Sequence, residues 1–121
     1  MREKRRFIRF DVILKAAYVI QKEPKTEKTG VTRDISANGM QLLTGEKLMV
    51  GDRIHITLSV PGASNPVHIR AVIVWSRDLA EAVENCLYSA GIDFEKIEED
   101  NKNTFLRFLC SLMYGEDKKA E

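Results

Sequence analysis

The residue types that could do chemistry in this 121-residue chain fall in two short stretches. The first is ArgArgPheIleArg, residues 5–9, which sets Arg5 and Arg9 four positions apart. A guanidinium presents its donors as a rigid fork that grips a phosphate bidentately or stacks on a flat ring. Two such forks on one arm can reach different parts of one ligand. The second stretch is AspIleSerAlaAsnGly, residues 34–39. Asp34 supplies an acceptor, Ser36 can bond a ligand or a turn backbone, and Gly39 permits a positive φ or a close backbone approach to a ligand. Asn38 is turn-prone and is read as structural. Lys4 and Arg6 add charge beside Arg5 and are possible helpers.

The charge distribution says what kind of ligand to expect. Residues 1–9 carry a formal +4, so with a total of +1 the remainder carries −3. Attraction for an anion is concentrated at one end, which suits a small or local ligand and not a long duplex. A groove for single-stranded nucleic acid needs exposed aromatics interleaved with basic residues, and the aromatics here fall mostly at core positions; no DNA or RNA partner is expected. Cys86 and Cys110 form no CxxC pair and have no His at ligand spacing, so they read as buried, reduced thiols and no metal is expected. His55 and His68 alternate with apolar neighbours and point outward. No Ser/His/Asp or Cys/His set can be assembled, so the chain is not read as an enzyme and no cofactor is expected.

The elements that must hold the two stretches read mainly as strands. Residues 10–20 are rich in Val, Ile and Tyr, residues 21–29 form a polar loop with Pro24, and residues 30–35 and the MetGlnLeuLeu run are two strands joined by the SerAlaAsnGly turn. Ile54, Ile56 and Leu58 alternate with Arg53, His55 and Thr57 at the period of a half-wet strand. In residues 67–76 the inward set is Val67, Ile69, Ala71, Ile73 and Trp75, with Val72 and Val74 on a second face that needs cover. The AspLeuAlaGluAlaValGluAsn run is read as a connection to a last strand over residues 87–94. Phe105, Phe108, Leu109, Leu112 and Met113 recur at helical spacing, predicting a helix over about residues 98–114 that supplies the cover. Glu98, Glu99 and Asp100 would precede or open its first turn, and Gly115 would end it.

Arg5 with Arg9 and Asp34, Ser36 with Gly39 together fill every fixed position of RxxxR followed by D/NxSxxG, and in that order they resemble the PilZ family. LeuMetValGlyAspArgIle, AlaValIleValTrp and TyrSerAlaGlyIleAspPhe also look like that family's later strands. The resemblance implies a mainly β fold: a six-stranded antiparallel β-barrel of split-barrel type with a C-terminal α-helix packed on it. It divides the chain into a flexible basic arm (1–9), the barrel and helix (10–114) and a disordered tail (115–121). It also implies that cyclic di-GMP, a bacterial second messenger, binds where the arm meets the barrel, through Arg5, Arg9, Asp34, Ser36 and Gly39. The charge of Lys4 and Arg2 beside Arg5 would suit a pair of ligands, as in some members.

Guanine fits those residues chemically, since an arginine fork matches its O6 and N7 and a carboxylate matches its N1 and N2 donors. The expected role is a bacterial cytoplasmic receptor that relays the signal to an effector protein as the arm orders. The alternative is a PilZ-fold interaction adaptor that does not bind nucleotide. No run of residues is long and apolar enough for membrane insertion.

Overall fold

The computed structural model describes residues 8–98 and 103–114. The expectations of a flexible arm, a mobile tail and a stop at Gly115 fall largely or wholly outside the described residues. The chain runs β1 (Phe10–Asp11), β2 (Lys15–Ile20), β3 (Glu27–Ile35), β4 (Gly39–Thr44), β5 (Arg53–Leu58), β6 (Val67–Val83), β7 (Cys86–Glu98) and α1 (Thr104–Met113). All pairings are antiparallel, in the ring β2-β5-β6-β7-β4-β3, and the β2–β3 pairing closes it into a six-stranded barrel. Closure leaves no free sheet edge within the ring. The expected mainly β barrel with a C-terminal helix is the architecture found.

Alternation dictates the interior. Ile54, Ile56 and Leu58 from β5 meet Val67, Ile69, Ala71 and Ile73 from β6 and Leu42 and Ile92 from β4 and β7 in one buried cluster. Each of the Ile, Leu and Val side chains among them contributes about 1.5–3 kcal/mol by leaving water. Phe105, Phe108 and Leu109 of α1 join this same cluster, and the Phe105 ring lies edge-on to Phe94 with centroids 5.9 Å apart.

Several boundaries differ from the sequence reading, each for a tertiary reason. The expected strand over residues 10–20 is interrupted at Val12–Leu14. There the buried Thr32 hydroxyl accepts the Leu14 N–H (2.9 Å) and donates to the Val12 carbonyl (2.6 Å), replacing ladder bonds across the kink. β3 begins at Glu27, inside the expected loop. The run expected to be a connection before residue 87 is strand: β6 continues to Val83 and turns into β7 through Glu84 and Asn85, both with positive φ (51° and 65°). Such a two-residue turn matches the twist of a hairpin, although Glu is an unusual occupant. The helix starts at Thr104, behind the left-handed Asn103, with no acidic residue in its first turn; Glu98 ends β7 instead. It does not cover Val74, which stays 41% exposed, and Met113 is exposed as well. Cys86 is buried but Cys110 is exposed on the helix, and both thiols are free.

Tyr18 is the largest fully buried polar-tipped side chain, with its hydroxyl 3.4 Å from Glu46. Burial, and then the adjacent Glu46 carboxylate, raise its pKa above the ordinary tyrosine value. A proton held more tightly in the folded than in the unfolded chain makes stability fall as pH rises past about 10. Thermal melts should therefore lose stability above that pH more steeply than Tyr18→Phe does. Equal slopes would place the alkaline loss elsewhere.

Candidate ligand-binding site

Arg9 of the first stretch and Asp34 of the second meet on the outer face of the barrel. β1 pairs with the end of β3 in the register Phe10↔Ile35 and Asp11↔Asp34, which brings the preceding Arg9 alongside Asp34. Arg9 Nη2 donates to Asp34 Oδ1 at 2.7 Å, with both side chains half-buried. Arg5, Arg6 and Lys4 lie outside the described residues.

Ser36, Asn38 and Gly39 build the β3–β4 turn. Ser36 is fully buried; its hydroxyl donates to Asn38 Oδ1 (2.8 Å), lies 3.2 Å from the Gly39 carbonyl and accepts the Asn38 N–H at 3.3 Å. The Ser36 N–H donates to the Gly39 carbonyl (2.8 Å), and the Asn38 carbonyl accepts from Phe94 N–H (2.9 Å), so the turn is tied to β7. Gly39 is not among the residues with positive φ. Its requirement is proximity: a Cβ there would stand 2.5 Å from the Ile92 carbonyl oxygen.

Trp75 belongs to this outer face and not to the core assigned from alternation. Ile73 pairs with Ile92 but Trp75 pairs with Gly91, so Val74 is one extra residue and a bulge inverts the facing of everything after it. Ser76 then turns inward, where its buried hydroxyl has no partner among the described residues, and Trp75 turns outward. The indole lies on Gly91, whose missing Cβ would stand 2.0 Å from Nε1. Arg77 covers the ring with its Cζ 4.3 Å from the ring centroid. The register sets Asp34, Gln41, Gly91 and Trp75 in a row across β3, β4, β7 and β6. Arg9, Asp34, Trp75, Gly91 and Asp93 line one shallow concavity of about 170 Å³. An arginine fork, an acceptor carboxylate and an arginine-topped aromatic platform thus share one face.

A PilZ domain family profile matches residues 3–110. The chain belongs to the PilZ domain family. Solved structures share the fold. The PilZ domain of Escherichia coli YcgR, described with c-di-GMP, is 17% identical with a TM-score of 0.63, over 98% of this chain and 95% of that one. MotI/DgrA, a Bacillus subtilis inhibitor of motility, is 14% identical (TM-score 0.69) over 93% of this chain and 53% of its own. MrkH, described as a c-di-GMP-dependent transcription regulatory factor, is 18% identical (TM-score 0.66) over 92% and 52%. The chain therefore spans about half of MotI and MrkH, and at these identities the likeness is one of fold. No curated protein sequence matches it.

In this PilZ domain the sequence reading located Arg9 and Asp34, which the fold brings together, and the turn formed by Ser36, Asn38 and Gly39. It missed Trp75, Arg77 and Asp93 as members of the same face. A signal existed for Trp75: Gly91 follows Ala90 in a strand, and an interior strand glycine marks a bulge or a close approach. Among the described residues no helix is long and apolar enough to cross a membrane.

Proposed function

We propose that the chain is a receptor for cyclic di-GMP that relays the signal to an effector protein. The observation that carries this reading is the Arg9–Asp34 pair beside the Trp75–Arg77 stack on one open face. Guanine offers O6 and N7 to an arginine fork and N1 and N2 donors to a carboxylate, and phosphates take the remaining guanidinium donors. Arg77 serves as a flat cationic surface for a purine or as a phosphate ligand. Ser36 and Gly39 hold the turn that presents Asp34. Membership in the PilZ family and the likeness to a YcgR domain described with c-di-GMP support the same reading.

Isothermal titration against cyclic di-GMP, cyclic GMP, GMP and GTP tests it. Binding of the cyclic dinucleotide with clear preference is expected, because it alone holds two guanines and two phosphates in one compact ring. Equal binding of cyclic GMP, or no heat with cyclic di-GMP at low salt, would falsify the receptor reading and leave the adaptor role.

The relay operates through the arm. Like charges in residues 1–9 repel one another, and ligand phosphates relieve that repulsion as Arg5 and Arg9 draw the arm across the face. Ordering backbone costs roughly 1–2 kcal/mol per residue, so the affinity falls well short of the summed contacts. The arm and ligand together then present a new surface to the effector. Amide hydrogen exchange should show added protection over residues 5–9 and 34–39 when ligand is bound. Full protection of the arm without ligand, or none at saturation, would overturn this relay while leaving the binding reading intact.

A further inference from the structure

Asp93 has no part in the two motifs, yet it lies in the same concavity as Arg9, Asp34 and Trp75. It faces outward on β7, paired in register with Gly39, and its Oδ1 lies 3.6 Å from where a Gly39 Cβ would stand. The neighbouring carboxylates have cationic partners. Asp34 accepts from Arg9, and Glu95 is held by Arg53 through two bonds of 3.0 Å. Among the described residues Asp93 is exposed and has no ion pair. A bare carboxylate on a face that takes an anion repels the ligand's phosphates. Its place there is favourable only where it meets hydrogen-bond donors of the ligand.

Sheet geometry separates the two acidic acceptors. Asp34 and Gly91 are two strand spacings apart, about 10 Å, and Asp93 is a further two residues along β7, about 7 Å. One purine cannot span both. Resting on the receptor reading above, we infer that Asp93 reads the second guanine of the ligand by accepting its N1–H and N2–H donors. Asp34 with Arg9 serves the first. Adenine presents an N1 lone pair where guanine presents a donor, so a carboxylate repels it, whereas an amide can satisfy either base by turning over. Asp93 is thereby a specificity-determining residue, which distinguishes a di-guanine ligand from one carrying an adenine.

The test is titration of wild type and Asp93→Asn with cyclic di-GMP and with 3′,3′-cyclic GMP-AMP, which keeps one guanine for Asp34 and offers one adenine to Asp93. The wild type should prefer cyclic di-GMP. In Asp93→Asn the cyclic di-GMP affinity should fall roughly 5- to 150-fold, because one of the two acceptors and the charge are lost, while the mixed dinucleotide, relieved of the carboxylate's repulsion, binds at least as tightly as to wild type, so that the preference collapses. Retention of the wild-type preference in the variant overturns the inference, as does parallel weakening of both ligands, or equal binding of the two by wild type. Binding of neither dinucleotide by folded wild type overturns the receptor reading together with this one. Retained preference in Asp93→Asn overturns the role of Asp93 alone.

Discussion

Arg9→Ala should weaken cyclic di-GMP binding by about 1–3 kcal/mol, roughly 5- to 150-fold, and Arg5→Ala should do the same. Stability should hardly move with Arg9→Ala. The Arg9–Asp34 bond joins two half-buried side chains near solvent, and such pairs contribute about 0–1 kcal/mol. Asp34 released from Arg9 is rehydrated and not stranded. Arg9→Lys separates charge from geometry: it preserves the attraction for phosphate but loses the planar fork, so its affinity should fall between those of wild type and Arg9→Ala. Asp34→Ala adds a second comparison. Weakened binding in both Asp34→Ala and Arg9→Ala assigns each a ligand contact. Wild-type affinity in Asp34→Ala would reduce Asp34 to a holder of Arg9, and unchanged affinity in Arg9→Ala would remove the arm from the site. Titration with parallel thermal melts distinguishes these results.

The barrel was legible in the sequence wherever one face of a strand is dry and the other wet. Ile54, Ile56 and Leu58 alternate with polar residues because β5 has core on one side and solvent on the other, and all three are buried. The SerAlaAsnGly turn was legible because its residues carry turn chemistry locally, as the Ser36 hydroxyl bonded to Asn38 shows. What was not legible depends on contacts distant in sequence. The outer half of β6 includes Asp78, Ala80, Glu81 and Ala82, poor strand formers by local preference, and nothing in that run announces a strand anchored by the distant pairings Asp78↔Tyr88 and Val83↔Cys86. Trp75 was misassigned because alternation counts residues and cannot see that Val74 is inserted without a partner. The site followed the same division. Arg9 and Asp34 stand 25 residues apart, and nothing in either stretch alone says that the pairing of β1 with the end of β3 sets them 2.7 Å apart. Motif order pointed to the pair, while Trp75, Arg77 and Asp93 could be added only once the face after the bulge was known.

Two glycines on that face should respond in opposite ways to the same added methyl group. At Gly39 the nearest atom to a new Cβ is the Ile92 carbonyl oxygen at 2.5 Å, part of the β4–β7 ladder itself. Backbone held by hydrogen bonds on both sides yields only by opening the pairing, so Gly39→Ala should destabilise the fold by about 1–3 kcal/mol, the usual range for overpacking. Because the turn presenting Asp34 begins at that pairing, ligand affinity should fall with it. At Gly91 the obstacle is the Trp75 indole, which is closer, with Nε1 at 2.0 Å, but is a half-buried side chain able to rotate away. Gly91→Ala should therefore leave the melting temperature within the reach of a change below about 1 kcal/mol while displacing the indole and its Arg77 cover. Trp75 is the sole tryptophan, so its fluorescence reports that displacement without interference. The expected pattern is a lowered melting point with near-native fluorescence for Gly39→Ala, and a native melting point with altered fluorescence and weakened cyclic di-GMP binding for Gly91→Ala. If Gly91→Ala proved the more destabilising, the indole would be a fixed part of the packing and not a movable platform. Native affinity in that variant would separate Trp75 from the ligand.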